Sequence, residues 1–337
     1  MTYASPHRTM TQRLLGLAVS GTNMTLFAVL VALLVVFGLL LGDRFFASAT
    51  LQSMAFQMPE LGILSLAMMV ALLSGGLNLA IIATANLCGL TMAFILTKFI
   101  PGTEGALWVL WQVIAILAGF GVAAVIGLVN GFVIAYLRVS PILATLGTMT
   151  ACKGIAIGMT HGNVISGFPD PIVFIGNGTV FGVPFALVVF ALCALPVAVL
   201  LNRSPFGSKV YMIGSNEQAT RYSGVATRQA LLKVYLLSSL LAAAAAVVMM
   251  ARFNSANASY GESYLLVSIL AAVLGGVDPF GGFGKVGGLV LALVILQVVS
   301  SAFNLLNFSQ FLTLAIWGGI LIAVTAVSFL RGVLRGS

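Results

Sequence analysis

Ten apolar stretches, most of them near the length that carries a helix across a bilayer, constrain this chain more than any motif in it. They run over residues 24–41, 59–76, 79–99, 107–136, 141–160, 184–201, 230–250, 264–277, 286–305 and 310–330. A crossing helix needs about 20 such residues. Of the 337 residues, 61% are hydrophobic and only 7% are charged, against roughly a quarter charged in soluble domains. The expected fold is an all-α integral membrane protein of about ten transmembrane helices, with glycine-broken segments at 59–76 and 264–277. The first stretch follows Arg8 and Arg13 and precedes Ala47-Ser48-Ala49, which resembles a secretion signal. Met24–Leu41 is longer than the roughly 7–15 residues of a signal core, and reads as the first span.

Charge sets the expected orientation. The net charge of +8 does not point to nucleic acid, because the basic residues stand singly at span ends and in one loop. With ten spans and both termini inside, eleven Lys and Arg residues fall on the inner side and four on the outer, as the positive-inside rule requires. The expected organisation is a cytoplasmic segment 1–23, one transmembrane domain 24–330 with a cytoplasmic loop 202–229, and a cytoplasmic tail 331–337. The outer loop 161–183 is rich in Gly, Pro and Asn and is expected to be turn-rich.

The loop is a polar island: LNRSPFGSKVYMIGSNEQATRYSGVATRQ, from Leu201 to Gln229, gathers Arg203, Lys209, Arg221 and Arg228 around one acid, Glu217. Within it NEQATRYSG predicts a short helix, capped by Asn216 and stopped at Gly224. A helix between spans, on the cytoplasmic side, is a handle for a soluble partner.

Catalytic and metal sites are not indicated. Cys88, Cys152 and Cys193 are scattered in apolar stretches, His7 and His161 have no acid pair near them, and Gly284-Lys285 is followed by Val286, not Ser or Thr. No acid–acid or acid–histidine set presents itself for ion coupling. Glu60, beside Pro59, reads as facing the outer interface, and Lys153 as snorkelling to a surface. Uncharged polar residues within the spans, Asn78, Asn86, Asn130, Thr145 and Thr148 with Asn304 and Asn307, are candidates to line a passage for a hydroxylated solute. Gly127 and Gly131, and Gly154 and Gly158, have the spacing of close helix contacts. Gly275–Gly288 reads as a packed turn at the cytoplasmic end. The pair Gly75-Gly76-Leu77-Asn78 and Gly275-Gly276-Val277-Asp278 echoes the glycine-broken repeats of transporters.

Four segments together resemble one family. Leu73–Ala80, LSGGLNLA, resembles TGGIDLS. Gly127–Gly158 resembles GLxNGxxIAxLxVPPFIxTLGTM followed by RG. Val210–Gly224, VYMIGSNEQATRYSG, resembles VYAIGGNxxAARLSG, and Ile269–Gly288 resembles IAAVVLGGTSxxGGxGxxxG. These are segments of the permease subunit of bacterial ABC importers for ribose and related sugars, grouped with branched-chain amino-acid permeases. The resemblance implies an inner-membrane permease with no enzymatic site and no cofactor of its own. It implies cytoplasmic ATP-binding subunits that use ATP and Mg, a periplasmic solute-binding protein, and a second permease copy or a homologous permease. Gly214, Asn216, Glu217, Ala219, Arg221 and Gly224 match the loop that couples to the ATPase. Asn78 stands where the family usually has Asp, Ala80 where it has Ser, and Thr220 where it has Ala. The competing expectation is an ion-coupled secondary transporter of a small polar solute.

Overall fold

The computed structural model describes residues 21–336. The predicted segment 1–23 therefore lies almost wholly outside the described residues, as does Ser337. In chain order the helices are α1 (Gly21–Leu41), α2 (Asp43–Phe46), α3 (Ser48–Leu73), α4 (Ile81–Phe99), α5 (Gly105–Ala135), α6 (Pro141–Thr160), α7 (Asp170–Asn177), α8 (Phe185–Arg203), α9 (Pro205–Ser215), α10 (Glu217–Tyr222), α11 (Thr227–Phe253), α12 (Tyr264–Leu274), α13 (Val286–Leu305) and α14 (Gln310–Gly336). Four two-residue strands, turns and loops make up the rest of the described residues. Among the described residues eight helices are long and apolar enough to span a membrane, and α12 and Phe311–Ala323 within α14 are shorter apolar helices. The chain is an all-α membrane protein.

All ten predicted stretches are helical, with two corrections at their ends. Helix α3 begins at Ser48, not at residue 59, so Pro59 lies inside it. Helix α14 runs on to Gly336, so the predicted tail is largely helix.

The core is built on α3, α4 and α11, whose side chains are buried along most of their length. Gly127 and Gly131 let α5 lie directly on α11: a Cβ at either would stand 2.8 Å from Leu236 Cα or Leu232 Cα. Their predicted packing role is met. Gly154 and Gly158 on α6 meet nothing within 4 Å, so the same spacing produces no contact there.

Helix α12 has eleven residues and rises about 16 Å, roughly half of a bilayer's apolar core. The segment before it, 254–263, is non-helical, and such backbone survives at membrane depth only under protein cover. That cover is present. Ser255, Ala256 and Ala258 are buried, and the Asn86 side-chain amide on α4 donates to the Ala258 and Tyr260 carbonyls at 3.0 and 2.9 Å. The loop 161–183 is turn-rich as expected. It carries β1 (Ile165–Ser166), paired antiparallel with β4 (Ser255–Ala256), then α7 and a hairpin of β2 (Thr179–Val180) and β3 (Val183–Pro184). Phe181 and Gly182 both have positive φ at the tip of that hairpin, as its two-residue turn demands.

The glycine echo is real in local geometry, with a shift of one residue. After α3 the Gly75 amide donates to Leu72 O and Gly76 to Ala71 O; after α12 Gly276 donates to Val273 O and Val277 to Ala272 O. Both are the double bond that closes a helix on a left-handed residue, with φ of 80° at Gly75 and 84° at Gly276. Each is followed by a side-chain turn: Asn78 Oδ1 accepts from Ala80 N–H, and Asp278 Oδ1 from Phe280 N–H. The segment after Gly275 is thus the expected packed turn.

Candidate coupling surface and solute passage

The two glycine turns meet at one end of the bundle, and the 202–229 loop is packed onto their junction. Ser204 caps α9 by accepting from the Gly207 amide at 3.3 Å, with Pro205 at the first helical position, an arrangement favoured at helix starts. Near the other end of α9 stands Gly214. A Cβ there would land on the Leu73 carbonyl and the Gly282 amide, and one at Gly281 would lie 2.6 Å from Gly75 N. Backbone therefore touches backbone among α9, the end of α3 and the 275–284 turn. The Gly282 amide donates to Leu73 O at 3.0 Å, and the Tyr211 hydroxyl to Gly284 O at 2.8 Å. Burial raises the Tyr211 phenol above its ordinary pKa, so it stays a neutral donor.

Helix α10 forms as the sequence predicts. Asn216 accepts from the Ala219 amide at 2.9 Å, and Gly224 takes φ 80° while its amide and that of Val225 return to Arg221 O and Thr220 O. The buried Thr220 hydroxyl donates to Met212 O at 2.8 Å, tying α10 back onto α9. An alanine there cannot make this bond, which gives the departure at Thr220 a structural meaning. The motif thus separates by role. Gly214, Asn216 and Gly224 shape the loop, while Glu217, Ala219 and Arg221 are exposed beside Gln218 and Tyr222. Behind α10 lies a cavity of about 370 Å³, bounded by Gly75, Gly76, the 138–141 corner between α5 and α6, and the start of α11.

The five predicted passage residues do not form one lining. Asn78 is fully buried; its amide donates to Ser238 Oγ at 2.9 Å, which in turn donates to Ala67 O at 2.8 Å. Thr145, also buried, donates to Pro141 O at 2.7 Å and accepts from the Leu79 amide at 3.2 Å. Between them they tie the 77–80 turn to α11 and to α6. Asn86 is committed to 254–263, as described above. Thr148 donates to Asn130 Oδ1 at 2.6 Å, and Asn130 alone of the five keeps a buried side-chain nitrogen without a partner. Asn78 replaces the resembled Asp for a local reason: its donor holds Ser238, which a carboxylate cannot do without turning that hydroxyl away from Ala67.

One reading of charge is corrected. Glu60 does not face an interface. Because α3 begins at Ser48, Glu60 lies well inside the helix and is fully buried. Its Oε1 stands 3.1 Å from Arg252 Nη1 and accepts from the Tyr264 hydroxyl. Lys153, read as snorkelling, is about half exposed, as is Glu262, whose Oε1 lies 2.6 Å from its ammonium.

The chain matches, over residues 50–325, the family described as branched-chain amino acid transport system / permease component. The chain belongs to this permease family. It is 32% identical to the ribose import permease protein RbsC of Bacillus subtilis (strain 168) over 295 residues, 87% of this chain and 88% of that one. It is 29% identical to the autoinducer 2 import system permease protein LsrD of Yersinia pestis (strain Pestoides F) over 310 residues, 90% of each chain. No solved structure matches it.

Other residues of the permease emerge only from the structure. A second cavity, of about 400 Å³, lies between α3, α12, α13 and α14 at the end away from α10. Gln57, Gln297, Ser300 and Asn304 supply amides and hydroxyls, Tyr264 and Trp317 supply rings, and no ionisable carboxylate or amine lines it. Of these, the sequence reading singled out only Asn304. Gln57 and Gln297 lie far apart in the chain and their pairing, Gln297 Nε2 to Gln57 Oε1 at 3.4 Å, has no local signal. Helix α9 was also missed, although Ser204-Pro205 is its start signal.

Proposed function

We propose that the chain is the permease subunit of an ATP-driven ABC importer that passes a small, polar, uncharged solute, a sugar in the simplest case. The observation that carries this reading is the coupling loop. It presents Glu217, Gln218, Arg221 and Tyr222 to solvent while its hidden face touches the ends of α3 and the 275–284 turn backbone to backbone. A partner that moves α9 and α10 moves both turns, the rigid-body transmission that switching requires. Membership of the permease family, with relatives that import ribose and autoinducer 2, supports the solute class.

In this reading cytoplasmic ATP-binding subunits use ATP and Mg and dock on Glu217, Ala219 and Arg221. A periplasmic binding protein delivers the solute at the opposite face. The permease itself binds no cofactor and catalyses no reaction. A second copy or a homologous permease packs alongside, and the exposed small-residue face of α6 is the surface we assign to it. The protein sits in the bacterial inner membrane with both termini cytoplasmic, as the eleven-to-four bias of basic residues supports. The solute enters by the uncharged cavity between α3, α12, α13 and α14.

The test is co-purification from gentle detergent with the ATPase, followed by reconstitution with candidate binding proteins. An ATPase rate that rises with one loaded binding protein is expected. An ion-coupled carrier would need an intramembrane acid, and Glu60 is that group; Arg252 and Tyr264 engage its Oε1, while its Oε2 has no partner. Uptake that collapses when the proton gradient is dissipated, with ATP held constant, would favour the carrier.

A further inference from the structure

The cavity behind α10 gathers three guanidiniums, of which the proposed coupling surface uses only Arg221. Arg138, Arg221 and Arg228 line it from three different elements: the α5–α6 corner, α10 and the first turn of α11. Among the described residues none of the three makes an ion pair; Arg228 stands over the Tyr136 ring at 5.7 Å. One carboxylate, Glu217, shares the lining, so three guanidiniums outnumber it by two. Two long helices also start here. Helix α6 begins at Pro141 and α11 at Thr227, both in the lining, and neither has a side-chain cap; Pro141 carries no N–H and the Thr227 amide donates to Val225 O, so these starts offer the cavity their partial positive charge. Helix starts carry partial positive charge and unpaired N–H donors. Finally, Tyr235 lines the cavity with its side chain fully buried and its hydroxyl without any partner, a cost that native structures ordinarily avoid.

We propose that this cavity binds a phosphate-bearing anion. Guanidiniums match phosphate oxygens with paired donors, the two helix starts add partial positive charge, and Tyr235, whose hydroxyl has no partner, lines the same cavity. The volume, about 370 Å³, suits a small ligand or headgroup. An anion held by Arg138, Arg221 and Arg228 bridges α10 to the α5–α6 corner and to α11, and so braces the coupling helix against the bundle. The source is either a soluble phosphate compound or the headgroup of an anionic lipid. This inference does not rest on the identity of the transported solute.

The test uses the full-length permease in nanodiscs of neutral phosphatidylcholine, titrated with inorganic pyrophosphate by calorimetry. Saturable binding is expected, weakening with added salt, at least tenfold weaker in Arg138→Gln and in Arg228→Gln and partly restored in Arg138→Lys. Tyr235→Phe, which removes a single oxygen, is expected to weaken binding several-fold and serves if an arginine variant folds poorly. In parallel, native mass spectrometry of permease from membranes containing phosphatidylglycerol reads lipid retention. Retention of that lipid, lost in Arg138→Gln/Arg228→Gln, assigns the site to a headgroup; pyrophosphate binding without retention assigns it to a soluble phosphate. Absence of both, or pyrophosphate binding that none of these substitutions changes, overturns the proposal.

Discussion

The Gly282 amide donates to the Leu73 carbonyl at 3.0 Å, joining the turn after α12 to the last residue of α3 with Gly214 pressed against both atoms. No side chain lies between these three backbones. Movement imposed on α9 is therefore transmitted by contact, without a compliant layer to absorb it.

Gly214→Ala tests that contact. The helical backbone at residue 214 accepts alanine, but the added methyl must displace the Leu73 carbonyl and the Gly282 amide. Overpacking of this kind costs about 1–3 kcal/mol. A lower melting temperature for the purified permease is expected, with solute-stimulated ATPase activity falling more than basal activity. Gly224→Ala, where the space is open but φ is 80°, is expected to cost less.

Glu217→Lys should leave the fold intact, because the side chain is exposed and makes no ion pair among the described residues. Recovery of the ATPase in detergent pull-downs is expected to fall. Unchanged recovery at high and low salt would remove Glu217 from the docking surface.

The Glu60–Arg252 pair predicts strong asymmetry between single and double substitutions. Arg252→Met leaves a buried carboxylate without its counter-charge, a loss of about 3–5 kcal/mol. Glu60→Gln/Arg252→Met removes both charges, keeps an acceptor for the Tyr264 hydroxyl, and is expected to be milder than Arg252→Met alone. Thermal unfolding of the four members of the cycle measures the coupling. Additive losses would show that the pair makes no net contribution.

Asn78→Asp should destabilise the α3–α11 contact by about 1–3 kcal/mol, since the Ser238 hydroxyl cannot donate to both a carboxylate at residue 78 and Ala67 O. Solute preference is expected to stay the same, because Asn78 is fully buried and both its polar atoms bond within the protein. A change in transported solute without loss of stability would place Asn78 in the passage.

What was legible in the sequence followed from local rules. Each apolar stretch became a helix because lipid leaves the backbone no other partner than itself. Asn216 and Gly224 delimited α10 because a cap acceptor and a left-handed stop act within a few residues. The turns at Gly75 and Gly276 were visible as an echo because each closes its helix by bonds of five residues or fewer. The family, and with it the permease function, was legible because four such segments keep their order.

The tertiary structure decided which polar groups are free and which are spent. Asn78, Asn86 and Thr145 have the composition of a passage, but partners up to 174 residues away occupy them. Glu60 looked peripheral until α3 extended to Ser48 and brought Arg252 and Tyr264 to it. Gly127 and Gly154 share the spacing of a packing motif, and only the path of α11 makes one a contact and leaves the other bare. Hydrophobic periodicity and capping act along the chain and are written in it. Satisfaction of a buried polar atom depends on what folds against it, and in a bundle whose helices cross the same apolar slab many pairings satisfy the sequence pattern equally.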